Sequence, residues 1–214
     1  MTPVYFVSGL GADETVFSRL QLKETLDIHH LPWLAPIPDE RMEAYALRMG
    51  QSIEDPKGSV LVGLSFGGIM AIEIAKRIPV KQVVLISSVK SKTEMPINLN
   101  LIGLLHLQKL LPASKLLHFK ELTAWFFGVR EGSDKEMLFD LLERSDERIV
   151  DWSTDKIVSW NGEHKLSNIS HIHGTADAVF PIRNIRPDER VQGGPHFMVY
   201  THAQEVSAWL DEVI

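Results

Sequence analysis

Two short runs, Val60-Leu61-Val62 and Val83-Val84-Leu85-Ile86, are apolar at every position, and the stretch between them has helical periodicity from Phe66 to Ile78. A strand with one face in water alternates apolar and polar residues. A strand that is apolar throughout must be covered on both faces, and parallel sheets flanked by helices provide that cover. This strand-helix-strand unit restricts the chain to an α/β architecture with a mostly parallel sheet.

The same alternation runs on in both directions. Val4-Tyr5-Phe6-Val7 reads as a strand closed by Ser8-Gly9-Leu10-Gly11. The stretch from Asp13 to Leu26 has helical spacing, Asp27 to Leu31 reads as a weaker strand, and Met42 to Ile53 as a helix. From about Ser91 only helices are expected: Leu99 to Leu111, Ser114 to Phe127 closed by Gly128, a helix opened by the capping box Ser133-x-x-Glu136, and Glu147 to Trp160. Strands return at Ile169 to His173 and Glu189 to Val191, and a last helix, capped by Thr201, runs to Val213. The expected organisation is a core of residues 1–90 and 167–214 interrupted by a helical cap at residues 91–166.

Composition removes several classes of function. The 214 residues include no cysteine, which excludes a disulfide framework, a thiolate zinc site and a cysteine nucleophile. The net charge of −6 argues against a nucleic-acid partner, whose phosphates require a basic face. The N-terminus lacks the features of a signal peptide, and the most apolar stretch, Ile97 to Leu111, is interrupted by Asn98, Asn100, His106, Gln108 and Lys109. A cytoplasmic protein without a membrane span is therefore expected.

The chemistry concentrates in Gly63-Leu64-Ser65-Phe66-Gly67, a G-x-S-x-G pattern lying between a strand and a helix. A serine on such a turn is held in a strained backbone conformation with its hydroxyl pushed out above the sheet. The glycines at 63 and 67 fit the close approach this turn requires, and the start of the following helix supplies free N–H groups for a developing oxyanion. Serine needs a base, and the base an orienting acid. Asp177 follows the strand Ile169–His173, and His196 lies in the turn Gly193-Gly194-Pro195-His196. Both thus fall at the carboxyl edge of a parallel sheet, where ligands bind in open α/β folds.

These features resemble the α/β-hydrolase superfamily along essentially the whole chain. The order Ser65, Asp177, His196 matches, as do the nucleophile elbow and the Gly174-x-x-Asp177 turn followed by Val179-Phe180-Pro181. The resemblance implies a minimal sheet of about six strands, a helical lid, and an oxyanion hole built from the backbone N–H groups of Leu10 and Phe66, with Gly9 and Gly11 shaping the oxyanion loop. Many relatives carry a His-Gly pair where this chain has Ser8-Gly9. The implied activity is cleavage of a small ester or related acyl compound through an acyl-enzyme, with no cofactor and no metal. Acyl transfer, C–C bond hydrolysis and non-catalytic binding of a small ligand are the alternatives on the same scaffold; a dehalogenase would need aspartate at position 65.

Other residues compete for these roles. Asp188 is nearer His196 in sequence, His202 is a second histidine before the last helix, and His171 with His173 forms an alternating pair that suggests a metal only if further ligands join it. His29 and His30 point to opposite faces of a strand and read as structural. The segment from Ile97 to Leu117 is apolar on nearly every helical face, so it is expected to line a substrate cavity through Leu104 or Leu105, a homodimer contact being the alternative. Trp125-Phe126-Phe127 either line that cavity or seat the lid on the core.

Overall fold

The computed structural model describes residues 1–105, 113–117, 119–163 and 166–214, and the backbone alone for residues 98, 100, 116 and 117. Six strands form one sheet in the order β2-β1-β3-β4-β5-β6. They are β1 (Thr2–Val7), β2 (Leu26–His30), β3 (Val60–Leu64), β4 (Gln82–Ile86), β5 (Ile169–Gly174) and β6 (Glu189–Val191). Every neighbouring pair is parallel, with Val4 opposite Val60 and Val62 opposite Val84.

The continuous apolar runs are explained by cover on both faces. Tyr5, Val7, Leu61, Val83 and Leu85 point into one core with α1 (Met42–Gly50) and α2 (Phe66–Ala75). Val4, Phe6, Val60, Val62, Leu64, Val84 and Ile86 point into the other, with α8 (Met198–Thr201) and α9 (Ala203–Val213). Helix α2 is buried along its whole length, Glu73 included. Burial pushes the Glu73 carboxyl up, but hydrogen bonds from Trp160 (2.8 Å), Lys76 (2.9 Å) and Arg77 (2.7 Å) outweigh it and hold the group ionised.

Between β4 and β5 lie α3 (Ile97–Leu104), α4 (Ala113–Leu117), α5 (Lys120–Phe127), α6 (Ser133–Arg144) and α7 (Glu147–Ser159). Both cores extend into them: Trp160, at the end of α7, joins the first, and Ala124, Leu138 and Leu141 from α5 and α6 join the second. Among the described residues no helix is long and apolar enough to cross a membrane.

Several local expectations are corrected. The helix expected over 13–26 is only a 3₁₀ turn at Glu14–Phe17, because the Asp13 side chain accepts the Thr15 N–H and the chain is then drawn out as β2, beginning opposite Thr2. The single helix expected over 114–127 is split into α4 and α5, since Phe119 leaves the helical region at ψ 63°. The capping boxes do not form. Gly132 precedes α6 at φ 71°, and Ser133 instead accepts a hydrogen bond from Arg19, while α9 starts after His202 rather than at Thr201. The end of the helix expected over 99–111 lies outside the described residues.

Candidate active site

Strand order reverses at β1, which has β2 on one side and β3 on the other, and the crevice outside the carboxyl ends of β1 and β3 is where such sheets bind ligands. Ser65 is at the end of β3 with φ 53° and ψ −118°, a conformation that costs a non-glycine residue about 1–3 kcal/mol. Three hydrogen bonds hold it there: its N–H donates to Ile86 O (2.9 Å), and its carbonyl accepts from Gly68 N–H (3.0 Å) and Ser88 Oγ (2.7 Å). A Cβ on Gly63 would lie 2.4 Å from Gly67 O, and one on Gly67 would lie 2.2 Å from Val7 O. The second glycine is thus required by the end of β1, which packs directly against the elbow.

The structure brings Asp177 and His196 to this serine. Asp177 Oδ1 accepts the N–H groups of Val179 and Phe180, both at 2.8 Å, and Oδ2 lies 2.8 Å from His196 Nδ1. His196 Nε2 is 3.0 Å from Ser65 Oγ. An ionised carboxylate only accepts, so Nδ1 carries the proton and Nε2 offers its lone pair to the serine hydroxyl. Burial pushes the Asp177 carboxyl up, but His196, His173 and the Phe180 N–H outweigh it and hold the group below the usual carboxylate range. The rings of Phe127 and Phe180 pack edge-on against the imidazole, at 5.1 and 5.6 Å.

The competing residues are engaged elsewhere. Asp188 accepts the His171 N–H (2.7 Å) at the sheet and faces Lys90. His202 sits at the start of α9 with its Nδ1 2.8 Å from Thr201 Oγ1. His29 stacks on Tyr5 and His30 on Phe17. His171 and His173 bond to each other at 3.3 Å, and among the described residues no three His, Asp or Glu side chains converge as a metal site would require.

The loop after β1 is held from behind. Ser8 Oγ donates to Ala12 O (2.6 Å), and Trp33 Nε1 donates to Ser8 Oγ (3.0 Å) and Gly9 O (3.2 Å) while its ring stacks on Phe66. Gly11 has φ 71° and a Cβ there would crowd Ser145 and Val150, whereas a Cβ on Gly9 would meet Ser65 Cβ at an ordinary 3.5 Å. Phe66 opens α2, so its N–H is one of the donors that a helix start leaves without an intrahelical partner. Trp33 gave no signal in the sequence beyond following a proline.

An apolar cavity of about 50 Å³ opens beside Ser65 and His196, walled by Val16, Leu64, Phe127, Leu138, Leu141 and Leu142. Leu104 and Leu105 do not line it and are exposed, as are Trp125 and Phe126, so the expected contribution of α3 falls to α6 instead. A larger cavity of about 230 Å³ lies behind the loop after β1, against Asp13, His30, Trp33 and Arg144, and includes none of Ser65, Asp177 or His196. Helix α5 is tied to the histidine turn: Phe127 O accepts the Phe197 N–H (3.2 Å), and a Cβ on Gly128 would lie 2.2 Å from Pro195 Cβ.

No family model and no curated protein sequence matches the chain. Solved structures do. A bromoperoxidase from Bacillus anthracis superposes with a TM-score of 0.71 at 17% identity, covering 99% of this chain and 91% of that one. A lipase-esterase related protein from Clostridium acetobutylicum gives 0.68 at 18% identity, covering 99% and 94%. An esterase from Thermogutta terrifontis gives 0.65 at 15% identity, covering 100% and 90%. With six parallel strands in this order and an elbow serine at the switch of strand order, the chain has the α/β-hydrolase fold.

Proposed function

We propose that the protein is a serine hydrolase that cleaves a small ester or related acyl compound through an acyl-enzyme. The observation that carries this reading is the hydrogen-bonded line from Asp177 Oδ2 through His196 to Ser65 Oγ, at 2.8 and 3.0 Å, with the serine on a strained elbow. Ser65 Oγ attacks the substrate carbonyl as His196 Nε2 takes its proton, and Asp177 stabilises the imidazolium. The carbonyl oxygen, now negative, is held by the N–H groups of Leu10 and Phe66. Collapse of this intermediate breaks the bond to the leaving group, which receives the proton from His196. Water then repeats the sequence on the acyl-serine, releasing the acid and restoring the serine. The steps use no metal and no cofactor. Helices α3–α7, within residues 91–166, act as the cap over this site, with Phe127 and the α6 leucines facing the serine. Structural neighbours described as esterases and lipase-related proteins are consistent with the reading.

A fluorophosphonate probe tests it. The expected result is stoichiometric labelling of the Ser65 peptide, lost in Ser65→Ala, with kcat on p-nitrophenyl acetate lowered by at least about 10⁴ in Ser65→Ala and His196→Ala. A protein that binds such esters but neither labels nor turns them over is a binding module, and the hydrolase reading fails.

A further inference from the structure

Resting on the hydrolase reading, we infer that the cavity walled by α6 is an acyl pocket for short unbranched chains of about three to five carbons, and that Leu142 sets the limit. The cavity holds about 50 Å³. At roughly 10–15 Å³ for each water-sized group, it holds about three to five such groups, the length of a butyryl chain whose carbonyl carbon is at the serine. Val16, Leu64, Leu138 and Leu141 in its wall are all buried, and among the described residues no ionisable side chain except His196 lines it. A chain ending in a carboxylate would be desolvated there without a partner. The leaving group must depart to solvent before water attacks, whereas the acyl group stays through the covalent intermediate. An apolar pocket therefore suits the acyl side. Leu142 also lines a second cavity of about 280 Å³ between α4, α5, α6 and α7, so one side chain stands between the two.

The test is kcat/KM for p-nitrophenyl acetate, butyrate, hexanoate and octanoate. In the natural protein the value rises about fourfold per methylene from acetate to butyrate, as the pocket fills, and falls at hexanoate and octanoate. Leu142→Ala joins the two cavities and moves the optimum to hexanoate or beyond, and Leu142→Phe moves it back to acetate. A rate that keeps rising to octanoate, or an order of preference the same in all three proteins, overturns the pocket assignment. Fluorophosphonate labelling of the same samples keeps the two questions apart, because unlabelled Ser65 refutes the hydrolase reading itself.

A second inference comes from the core beneath the acid. His173 Nε2 lies 2.8 Å from Phe180 O, a pure acceptor, so this nitrogen carries the proton. Nδ1 is then a lone pair, and it accepts from His171 Nε2 at 3.3 Å. The same His173 N–H is 3.3 Å from Asp177 Oδ2. The acid thus has a second imidazole N–H on the same oxygen that meets His196, locked by a carbonyl of its own turn. The geometry assigns His173 as a positioning residue that holds Asp177 for His196. The groups around it are His171, Asp177, His196 and the Phe180 carbonyl, with Lys90 beyond His171.

Replacing His173 by Leu removes the donor, and replacing it by Gln keeps one. His173→Leu is expected to lower kcat about tenfold with KM little changed, and to move the acid limb of the kcat/KM profile to higher pH, because a less solvated Asp177 charge favours the imidazolium. His173→Gln restores most of both; His173→Met replaces the leucine variant if that does not fold. A folded apolar variant with an unmoved profile, or a Gln variant as impaired as Leu, refutes the assignment.

Discussion

Asp177→Asn puts the acid to a sharp test, because each carboxylate oxygen has its own partners. Asn can keep an oxygen against the N–H groups of Val179 and Phe180, at 2.8 Å each in the natural protein. Its NH₂ group then faces two imidazole nitrogens, His196 Nδ1 at 2.8 Å and His173 Nε2 at 3.3 Å from the replaced atom. His196 can respond by moving its proton to Nε2, which leaves no lone pair for the Ser65 hydroxyl. Loss of the correct tautomer costs about 10⁴ in kcat. His173 cannot respond in the same way without giving up its bond to Phe180 O, so one donor-donor conflict stays buried. That conflict is expected to cost about 1–3 kcal/mol of stability, or roughly 3–10 °C in Tm for a chain of this size. Asp188→Asn is the control, since Asp188 accepts the His171 N–H, which an amide oxygen also accepts, and its ion pair with Lys90 is a long, half-exposed 3.7 Å. The assay is kcat on p-nitrophenyl acetate alongside a thermal melt for both variants. An Asp177→Asn protein with more than about a tenth of the natural kcat, or an Asp188→Asn protein that is the more impaired of the two, would refute the assignment of the acid.

Acidification should weaken the fold before any carboxylate titrates. Burial holds His171 well below its ordinary value of 6.5 and His173 below it too, so both stay neutral when folded and take up protons when unfolded. Below pH 6.5 the unfolded chain therefore binds more protons, and stability falls by up to about 1.4 kcal/mol per pH unit for each histidine until the folded values are reached. Asp177, with its lowered folded value, adds a loss only in the carboxylate range and below. Urea unfolding at pH 7.5, 6.5 and 5.5 checks this, and equal stability at the outer two would contradict it. Trp33→Phe keeps the ring on Phe66 but loses the bonds to Ser8 and Gly9 that back the loop after β1, which the proposed mechanism uses for the oxyanion. The expected result is a fall in kcat of about tenfold with unchanged fluorophosphonate labelling stoichiometry; an unaltered kcat would mean that the loop needs no such support.

Gly63 was legible because its steric constraint is local: a Cβ there collides within the elbow itself, whereas Gly67 is required by the end of β1, which only the assembled sheet brings against it. The strands were legible for a similar reason. An apolar run such as Val83 to Ile86 reports that both faces are covered, and only a helix-flanked parallel sheet covers both. Periodicity reports burial but not the neighbour that causes it, and there the sequence was mute. It marked His171 and His173 only as an alternating pair, while tertiary structure set one of them under the acid. It marked Leu104 and Leu105 as apolar, yet these are exposed, and the wall beside Ser65 comes from α6, whose leucines look no different in sequence. Trp33 is in the same position, brought against Ser8 and Gly9 only because β2 runs parallel to β1 and delivers its end to the same edge. Which side chains meet across such distances is decided by strand order and helix packing, so the elbow could be read from five residues, whereas the shape of the cavity beside Ser65 and the partners of Asp177 required the assembled fold.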